Sequence, residues 1–281
     1  MAKFDGAVRR TLPGPVWMAG LLVLGLFGSF SSAWADVMIL VHGYFSDDKS
    51  WDESGVTTSL ETAGWWDGGR VSTAGGSIQE RVKIPTPGHP TFYRADLPSE
   101  APIELQASFL KRISDRIFAK HPGEKRILVG HSAGGVVARL LMVLHPELKI
   151  DLLVTIAAPH LGTDKAEVAS LVGSTPLGMV APMIGADTLN RSQHLYADLA
   201  RERPGNFLYR LNHQQHPKAR YVAIVRKEGT PLSGDMTVPS WSQDLRRVAA
   251  LKGQAETVAV VAGHALNRMD GRALVHILRS N

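Results

Sequence analysis

A short glycine-flanked serine turn is the part of this sequence best suited to chemistry. Residues Gly130–Gly134 read Gly-His-Ser-Ala-Gly, with Ser132 at the centre. An apolar run up to Gly130 predicts a buried strand, and the residues from Gly135 to Leu144 predict a helix. A serine on such a turn is strained, with its hydroxyl exposed, and the glycines avoid collisions with the neighbouring strand and helix. The pattern predicts that Ser132 is a nucleophile.

Two histidines near the end of the chain are candidates for the base that a serine nucleophile requires. A serine hydroxyl reacts poorly unless a base removes its proton and a carboxylate orients that base. On a strand–turn–serine–helix scaffold the order along the chain is serine, acid, histidine. His264 directly follows the last predicted strand, whereas His276 lies among apolar residues of the terminal helix. We predict that His264 is the base and that His276 is structural.

The acid is expected in the loop after the preceding strand. Asp235 lies there, in the segment Gly234–Pro239. Glu228 is very close to the end of the strand, and Asp244 lies farther along, near a predicted helix. An isolated loop aspartate is commonly a turn former or a helix cap. The position of Asp235 between strand and base makes it the predicted acid.

Two backbone N–H groups are needed to bind the oxyanion of a tetrahedral intermediate. One is predicted at Ala133, which follows the nucleophile at the start of a helix. The other is predicted at Tyr44, after the first strand, where Gly43 is expected to permit a bend. The side chains of His42 and His131 are interpreted as structural, with that of His131 directed away from the serine hydroxyl. Neither histidine has partners at metal-ligand spacing, so we predict no catalytic metal. We also predict no cofactor, because the chemistry of serine, histidine and aspartate requires none.

Short apolar strands alternate with helices along the chain. The predicted strands are residues 37–41, 92–97, 126–130, 152–156, 221–225 and 257–261, and the predicted helices are residues 103–120, 135–144, 193–201 and 272–278. This alternation predicts one α/β domain with an open, mostly parallel sheet and helices on both faces. Ligands of such folds bind beyond the carboxyl ends of the strands, where Ser132, Asp235 and His264 would all lie.

The first 35 residues are typical of a targeting segment. A basic start is followed by the apolar stretch Val16–Phe30 and by Ala33–Ala35, which fits a small-x-small cleavage site. The apolar stretch is short for a spanning helix, which needs about 20 residues. We predict cleavage after Ala35 and export of a catalytic domain, residues 36–281, to the periplasm or the exterior. The alternative is an uncleaved N-terminal anchor.

Composition limits the classes of function. The formal charge of the whole chain is +5, with lysines and arginines scattered rather than clustered, so we predict no nucleic-acid partner. A weak preference for anionic surfaces, with transient membrane-surface contact, is a second interpretation of this charge. The chain has no cysteine, which removes cysteine nucleophiles, cysteine–zinc sites and iron–sulfur clusters from consideration.

Five motifs resemble, in the same order, those of bacterial lipases and PGAP1-like hydrolases. They are Val41–Phe45, Val129–Arg139, Thr155–Thr163, Gly234–Pro239 and Gly263–His264. The resemblance implies the α/β-hydrolase fold and a serine esterase that cleaves carboxylic esters, such as lipid or other acyl esters. The chain shows no obvious paired aspartates matching the calcium site of some secreted lipases, and their disulfide cannot form here.

Other functions use the same set of side chains. An acyltransferase, a thioesterase or an amidase would need the same serine, histidine and aspartate, and the sequence leaves these alternatives open. A binding protein on an inactive hydrolase scaffold is a further alternative, which a missing member of the set would have favoured. The oligomeric state is also left open.

Residues 164–190 have two interpretations. They contain leucine, methionine, glycine and proline without firm helical spacing. They predict either a pair of ordinary short core helices or a mobile cap after the strand that ends near Ile156. Such a cap would cover Ser132 and contact acyl chains with an adaptable apolar face.

Overall fold

The structure is a computed structural model, and it describes most of the chain after the predicted targeting segment. The described residues are 2, 35–73, 76–83, 88–163, 192–227 and 235–280. The chain divides into the units Met1–Ala33 and Trp34–Asn281, and every element below belongs to the second. Apart from Ala2 and Ala35, the predicted targeting segment lies outside the described residues, and so does the predicted cap at 164–190.

Eight strands form one sheet in the described part of the chain. They are β1 (Asp36–Val41), β2 (Trp66–Ser72), β3 (Gln79–Val82), β4 (Thr91–Asp96), β5 (Lys125–His131), β6 (Leu152–Ile156), β7 (Arg220–Arg226) and β8 (Ala255–Val260). Their order across the sheet is β3-β2-β4-β1-β5-β6-β7-β8. Neighbouring strands are parallel except β2 and β3, which are antiparallel. The predicted open, mostly parallel sheet is confirmed.

Helices cover both faces of the sheet. The described α-helices are α1 (Ser50–Glu53), α2 (Val56–Thr62), α3 (Ile103–Ala119), α4 (Ala133–Leu144), α5 (Gln193–Asp198), α6 (Phe207–His213), α7 (Ser240–Gln243) and α8 (Arg268–Arg279). Val37 and Ile39 of β1 share a core with α3 and α4, whereas Met38 and Leu40 share one with α2 and α8. Successive strand residues point to opposite faces, so the apolar run of β1 serves both cores. Every helix in the described ranges is too short or too polar to span a bilayer.

Several elements lie where the sequence predicted none: α1, α2, β2 and β3 before residue 90, and α6 later. The strand β2 contains Gly68 and Gly69 at a shift of register between Asp67 and Arg70. Gly69 has a φ of 101°, which a glycine adopts without steric cost. This irregular strand lacks the alternation of apolar and polar residues by which a strand is recognised in a sequence.

The helix predicted at residues 193–201 ends earlier, at Asp198. The residues that follow pair instead with the segment after β6. The N–H of Thr163 donates to the carbonyl of Leu199, and the N–H of Arg201 donates to the carbonyl of Thr163, both at 3.0 Å. These long-range bonds compete with continuation of the helix.

The terminal helix α8 begins at Arg268, before the predicted start at residue 272. Asn267 and Asp270 form a reciprocal cap. The Asn267 side chain accepts from the N–H of Met269, and the Asp270 side chain accepts from the N–H of Asn267, both at 2.9 Å. This cap satisfies N–H groups that a helix start otherwise leaves without partners, and so it fixes where α8 begins.

The turn between β5 and α4 depends on close approaches of the backbone. A Cβ atom at Gly134 would lie 2.2 Å from the carbonyl oxygen of His42 and 2.6 Å from that of Val41. A Cβ atom at Gly130 would lie 2.5 Å from backbone atoms of Gly135. The predicted reason for the two glycines, collision with the neighbouring strand and helix, is confirmed.

We expect Gly134→Ala to lower the free energy of unfolding by about 1–3 kcal/mol, the usual cost of overpacking. The added methyl would meet backbone atoms, which cannot rotate away as a side chain can. Ser132→Ala is the matched control, because it removes an atom from the same turn and should not lower stability. Urea denaturation measures the free energy of unfolding of the wild type and of both variants. Equal stability of Gly134→Ala and the wild type would contradict this explanation.

Candidate active site

Ser132 lies where β5 passes into α4, with φ 52° and ψ −128°. This is a conformation that residues other than glycine rarely adopt. The N–H of Ser132 donates to the carbonyl of Ile156 at 2.8 Å, which ties the turn to the end of the adjacent strand β6. The strain is therefore maintained by contacts on both sides of the turn.

The structure brings three of the predicted site residues into one hydrogen-bonded chain. Ser132 Oγ lies 2.9 Å from His264 Nε2, and His264 Nδ1 lies 2.7 Å from Asp235 Oδ2. Asp235 follows β7, and His264 lies between β8 and α8. For a neutral imidazole, these bonds assign the proton to Nδ1, so that Nε2 accepts from the serine hydroxyl. The arrangement can remove the proton of Ser132.

The alternative acid Asp244 and the alternative base His276 lie outside this hydrogen-bonded chain. Asp244 caps the short 3₁₀-helix Leu245–Arg247 and accepts from the N–H of Arg246 at 3.0 Å. His276 is exposed on α8, so it does not pack among its apolar neighbours as the sequence suggested. The third alternative, Glu228, lies outside the described residues.

Hydrogen-bond donors fix both carboxylate oxygens of Asp235. Oδ1 accepts from the N–H groups of Thr237 and Val238, both at 2.8 Å. Oδ2 accepts from Nε2 of Gln243 at 3.0 Å as well as from His264. Because the aspartate side chain is 1% exposed, these donors replace water and hold the carboxylate in one orientation.

Gln243 is a buried residue of this site that the sequence did not predict. Its Oε1 accepts from the N–H of Arg226 at 2.7 Å, while its Nε2 also donates to the carbonyl of Val238 at 2.6 Å. Together with the bond to Asp235, these contacts join the end of β7 to the loop that carries Asp235. No local pattern signals this role, since it depends on partners brought together by the fold.

A buried ion pair supports the loop that carries His264. Arg226 and Asp270 form a bidentate pair with both side chains fully buried, and one of the two bonds, from Nη2, measures 2.9 Å. Nη2 also donates to the carbonyl of Ala265 at 3.2 Å. The pair joins β7, α8 and the residue after His264. The sequence signal for it is a charged residue at the end of an apolar strand.

His42 orients the loop after β1. Its Nδ1 donates to the carbonyl of Gly43 at 3.0 Å, and its Nε2 accepts from the N–H of Leu97 at 3.0 Å. In a trans peptide the carbonyl and the next N–H point in opposite directions. The bond to the Gly43 carbonyl therefore aims the N–H of Tyr44 away from the imidazole, in agreement with a structural role for His42.

The sequence predicts that Gly43 permits a bend in this loop, but the structure gives a different reason for a glycine there. Its φ is not in the left-handed region, and the positive φ falls on Phe45, at 54°. A Cβ atom at Gly43 would lie 2.9 Å from Cβ of Ser132, so the glycine permits close approach rather than the bend. Among the described residues, the N–H groups of Tyr44 and Ala133 have no backbone acceptor.

His131, the residue before Ser132, is buried and bonds to the backbone of the histidine of the site. Its Nε2 donates to the carbonyl oxygen of His264 at 3.0 Å, and the two ring centroids are 5.3 Å apart. Burial, and next the charge that His264 can carry, lower the pKa of His131 well below its usual value. His131 is therefore a neutral hydrogen-bond donor.

A cavity of about 880 Å³ adjoins Ser132 and His264. Its walls are the loop after β1 with α1, the segment after β4, and the turn after His264. The lining combines apolar groups such as Leu97 and Leu266 with carboxylates such as Glu53. Its size suits a small organic substrate. The described residues contain no cluster of three side chains that could hold a metal ion.

Comparison with known proteins agrees with this architecture. Residues 102–169 match the family model of the PGAP1-like alpha/beta domain, a range that contains β5, Ser132, α4 and β6. Curated protein sequences gave no match.

Solved structures, among them a hydrolase and a lipase, share the fold over most of the chain. A gene product of Listeria innocua aligns with a TM-score of 0.57 at 14% identity, covering 87% of this chain and 92% of that one. A putative cell surface hydrolase from Lactobacillus plantarum aligns with a TM-score of 0.53 at 16% identity, covering 88% of this chain and 90% of that one. The mature form of a Bacillus licheniformis lipase aligns with a TM-score of 0.53 at 17% identity, covering 87% of this chain and 92% of that one. The chain has the α/β-hydrolase fold, so the fold implied by the five sequence motifs is confirmed.

We expect Asp270→Asn to lower the free energy of unfolding by about 3 kcal/mol, because it leaves the buried Arg226 without a counter-charge. Asparagine keeps an oxygen that can accept a hydrogen bond at the start of α8. The loss of stability therefore measures the effect of removing the negative charge. Glu256→Gln is the matched control, since Glu256 forms a bidentate pair with Arg220 that is largely exposed. It should cost less than about 1 kcal/mol. Equal effects in urea denaturation would contradict a supporting role for the buried pair.

Proposed function

We propose that the protein is a serine hydrolase that cleaves carboxylic esters, including lipid or other acyl esters. The observation that carries the proposal is the hydrogen-bonded chain from Ser132 through His264 to Asp235. A hydroxyl in contact with the free nitrogen of an imidazole, whose other nitrogen donates to a carboxylate, is the arrangement that activates serine for attack.

In the first half of the reaction, Ser132 Oγ attacks the ester carbonyl carbon while His264 Nε2 takes its proton. The carbonyl oxygen becomes an oxyanion, which accepts hydrogen bonds from the N–H groups of Tyr44 and Ala133. Asp235 stabilises the imidazolium that forms on His264. The tetrahedral intermediate then collapses, the bond to the alcohol oxygen breaks, and the alcohol leaves with the proton from His264.

In the second half, water attacks the acyl group on Ser132. His264 removes a proton from the water, the same two N–H groups bind the new oxyanion, and collapse releases the carboxylic acid. The proton on His264 returns to Ser132 Oγ. These steps use only side chains and backbone groups of this chain, so the chemistry proposed requires no cofactor.

The acceptor and the leaving group distinguish the remaining alternatives. An acyltransferase would pass the acyl group to an alcohol other than water, and a thioesterase or an amidase would expel a thiol or an amine through the same steps. Matched oxygen esters, thioesters and amides of one acyl chain, with p-nitrophenyl esters of increasing chain length, separate these reactions. The proposal expects the oxygen esters to be cleaved fastest, with release of the free acid.

We expect Ser132→Ala, His264→Ala and Asp235→Asn each to lower kcat for p-nitrophenyl esters by at least about a thousandfold, and the first two to leave stability almost unchanged. Each variant removes one member of the hydrogen-bonded chain. His276→Ala and Asp244→Asn are the matched controls, and both should retain wild-type kcat. Near-normal turnover by any of the first three variants, or inactivation by His276→Ala, would overturn the assignment.

We also propose export of the domain that begins at Asp36. The support is the basic start, the short apolar stretch and the small-x-small residues Ala33–Ala35. N-terminal sequencing of periplasmic or secreted protein should read Asp-Val-Met from residue 36. Retention of residues 1–35 in a membrane fraction would favour the anchor instead.

A further inference from the structure

His131 and its neighbour Ser132 both contact His264, but His131 contacts its backbone and Ser132 contacts its ring. Ser132 Oγ lies 2.9 Å from the imidazole Nε2 of His264, and Nε2 of His131 lies 3.0 Å from the backbone carbonyl of His264. Two consecutive residues therefore hold both ends of the same histidine. We propose, resting on the hydrolase function above, that His131 is a positioning residue that keeps His264 within proton-transfer distance of Ser132.

The donor on His131 is itself immobilised. The ring is buried between the loop after β1 and the turn that carries His264. A Cβ atom at Gly43 would lie only 3.2 Å from Nδ1 of His131, and the ring centroid is 5.3 Å from that of His264. A donor without rotational freedom fixes the distance between two loops more tightly than an exposed side chain can.

The protonation state of His131 suits this role. An imidazolium at this position would repel the imidazolium that forms on His264 when it takes the serine proton. Burial is the main cause that lowers the pKa of His131, and the positive charge of Arg226 acts in the same direction. The neutral ring keeps one proton, and the bond to the carbonyl places it on Nε2.

Other contacts keep the turn folded, so His131 is not needed for its formation. Arg226 donates to the carbonyl of Ala265 and pairs with Asp270, while Asn267 caps the helix that follows. Loss of the donor on His131 should therefore shift His264 relative to Ser132 without unfolding the loop. Small misplacements of this kind cost as much as about a hundredfold in rate.

The test compares His131→Met with His131→Gln. Methionine fills a similar volume but cannot donate, whereas the glutamine amide nitrogen reaches the position of the imidazole Nε2. We expect His131→Met to lower kcat for p-nitrophenyl esters by about ten- to a hundredfold, with KM within about twofold of the wild type. His131→Gln should restore most of the lost kcat, and both variants should melt within a few degrees of the wild type.

Wild-type kcat in His131→Met would overturn the proposal, and so would a glutamine variant that is folded but as slow as the methionine variant. A second measurement needs neither substrate nor variant. Imidazole ¹⁵N–¹H spectra of the wild type near neutral pH should show His131 neutral with its proton on Nε2. An imidazolium or an Nδ1–H tautomer would overturn the positioning role. If the wild type gave the expected spectrum but had no esterase activity, the proposed function alone would be refuted.

Discussion

The backbone strain at Ser132 is the constraint on which the rest of the site depends. A serine at φ 52° costs about 1–3 kcal/mol and persists only where the surroundings over-determine it. Here β5 and α4 are buried almost throughout, and α4 approaches β1 until Gly134 leaves no room for a Cβ atom. The same close packing brings Gly43 against Ser132. One set of contacts thus places both Ser132 and the loop that carries the Tyr44 N–H.

The proposed acid, Asp235, and the proposed base, His264, lie on loops, and buried polar contacts hold these loops in place. Asp235 is held by two backbone N–H groups and by Gln243. The turn carrying His264 is held by His131 and by the pair of Arg226 with Asp270. Burying charges is costly unless they are paired, and here both members of the pair lie at the carboxyl edge of the sheet, next to the site.

The sequence predicted the features that depend on short-range patterns. The strands β1, β5 and β6 are continuous apolar runs, and α3 has clear helical spacing, so these elements and the glycine-flanked turn could be recognised locally. The residues Ser132, Asp235 and His264 could be selected because each follows a strand. The geometry that joins them comes from the order of strands across the sheet. Local patterns predict the class of fold but not this order.

The features that the sequence missed depend on contacts between distant segments. The strand β2 is irregular because Gly68 lies against the Tyr93 ring and Gly69 adopts a positive φ. The helix α5 stops at Asp198, because the residues that follow it pair with Thr163. Gln243 and His131 look ordinary in the sequence, and their partners, Asp235 and the backbone of His264, are adjacent only in the folded chain.

The proposed function requires Ser132 to be a nucleophile activated by His264. The most direct measurement is reaction of the intact protein with a fluorophosphonate, followed by mass spectrometry of its peptides. The proposed mechanism requires one adduct per chain, on the peptide that contains Ser132, and much slower labelling in His264→Ala. An unlabelled wild-type protein, an adduct on another residue, or equally fast labelling without His264 would contradict it.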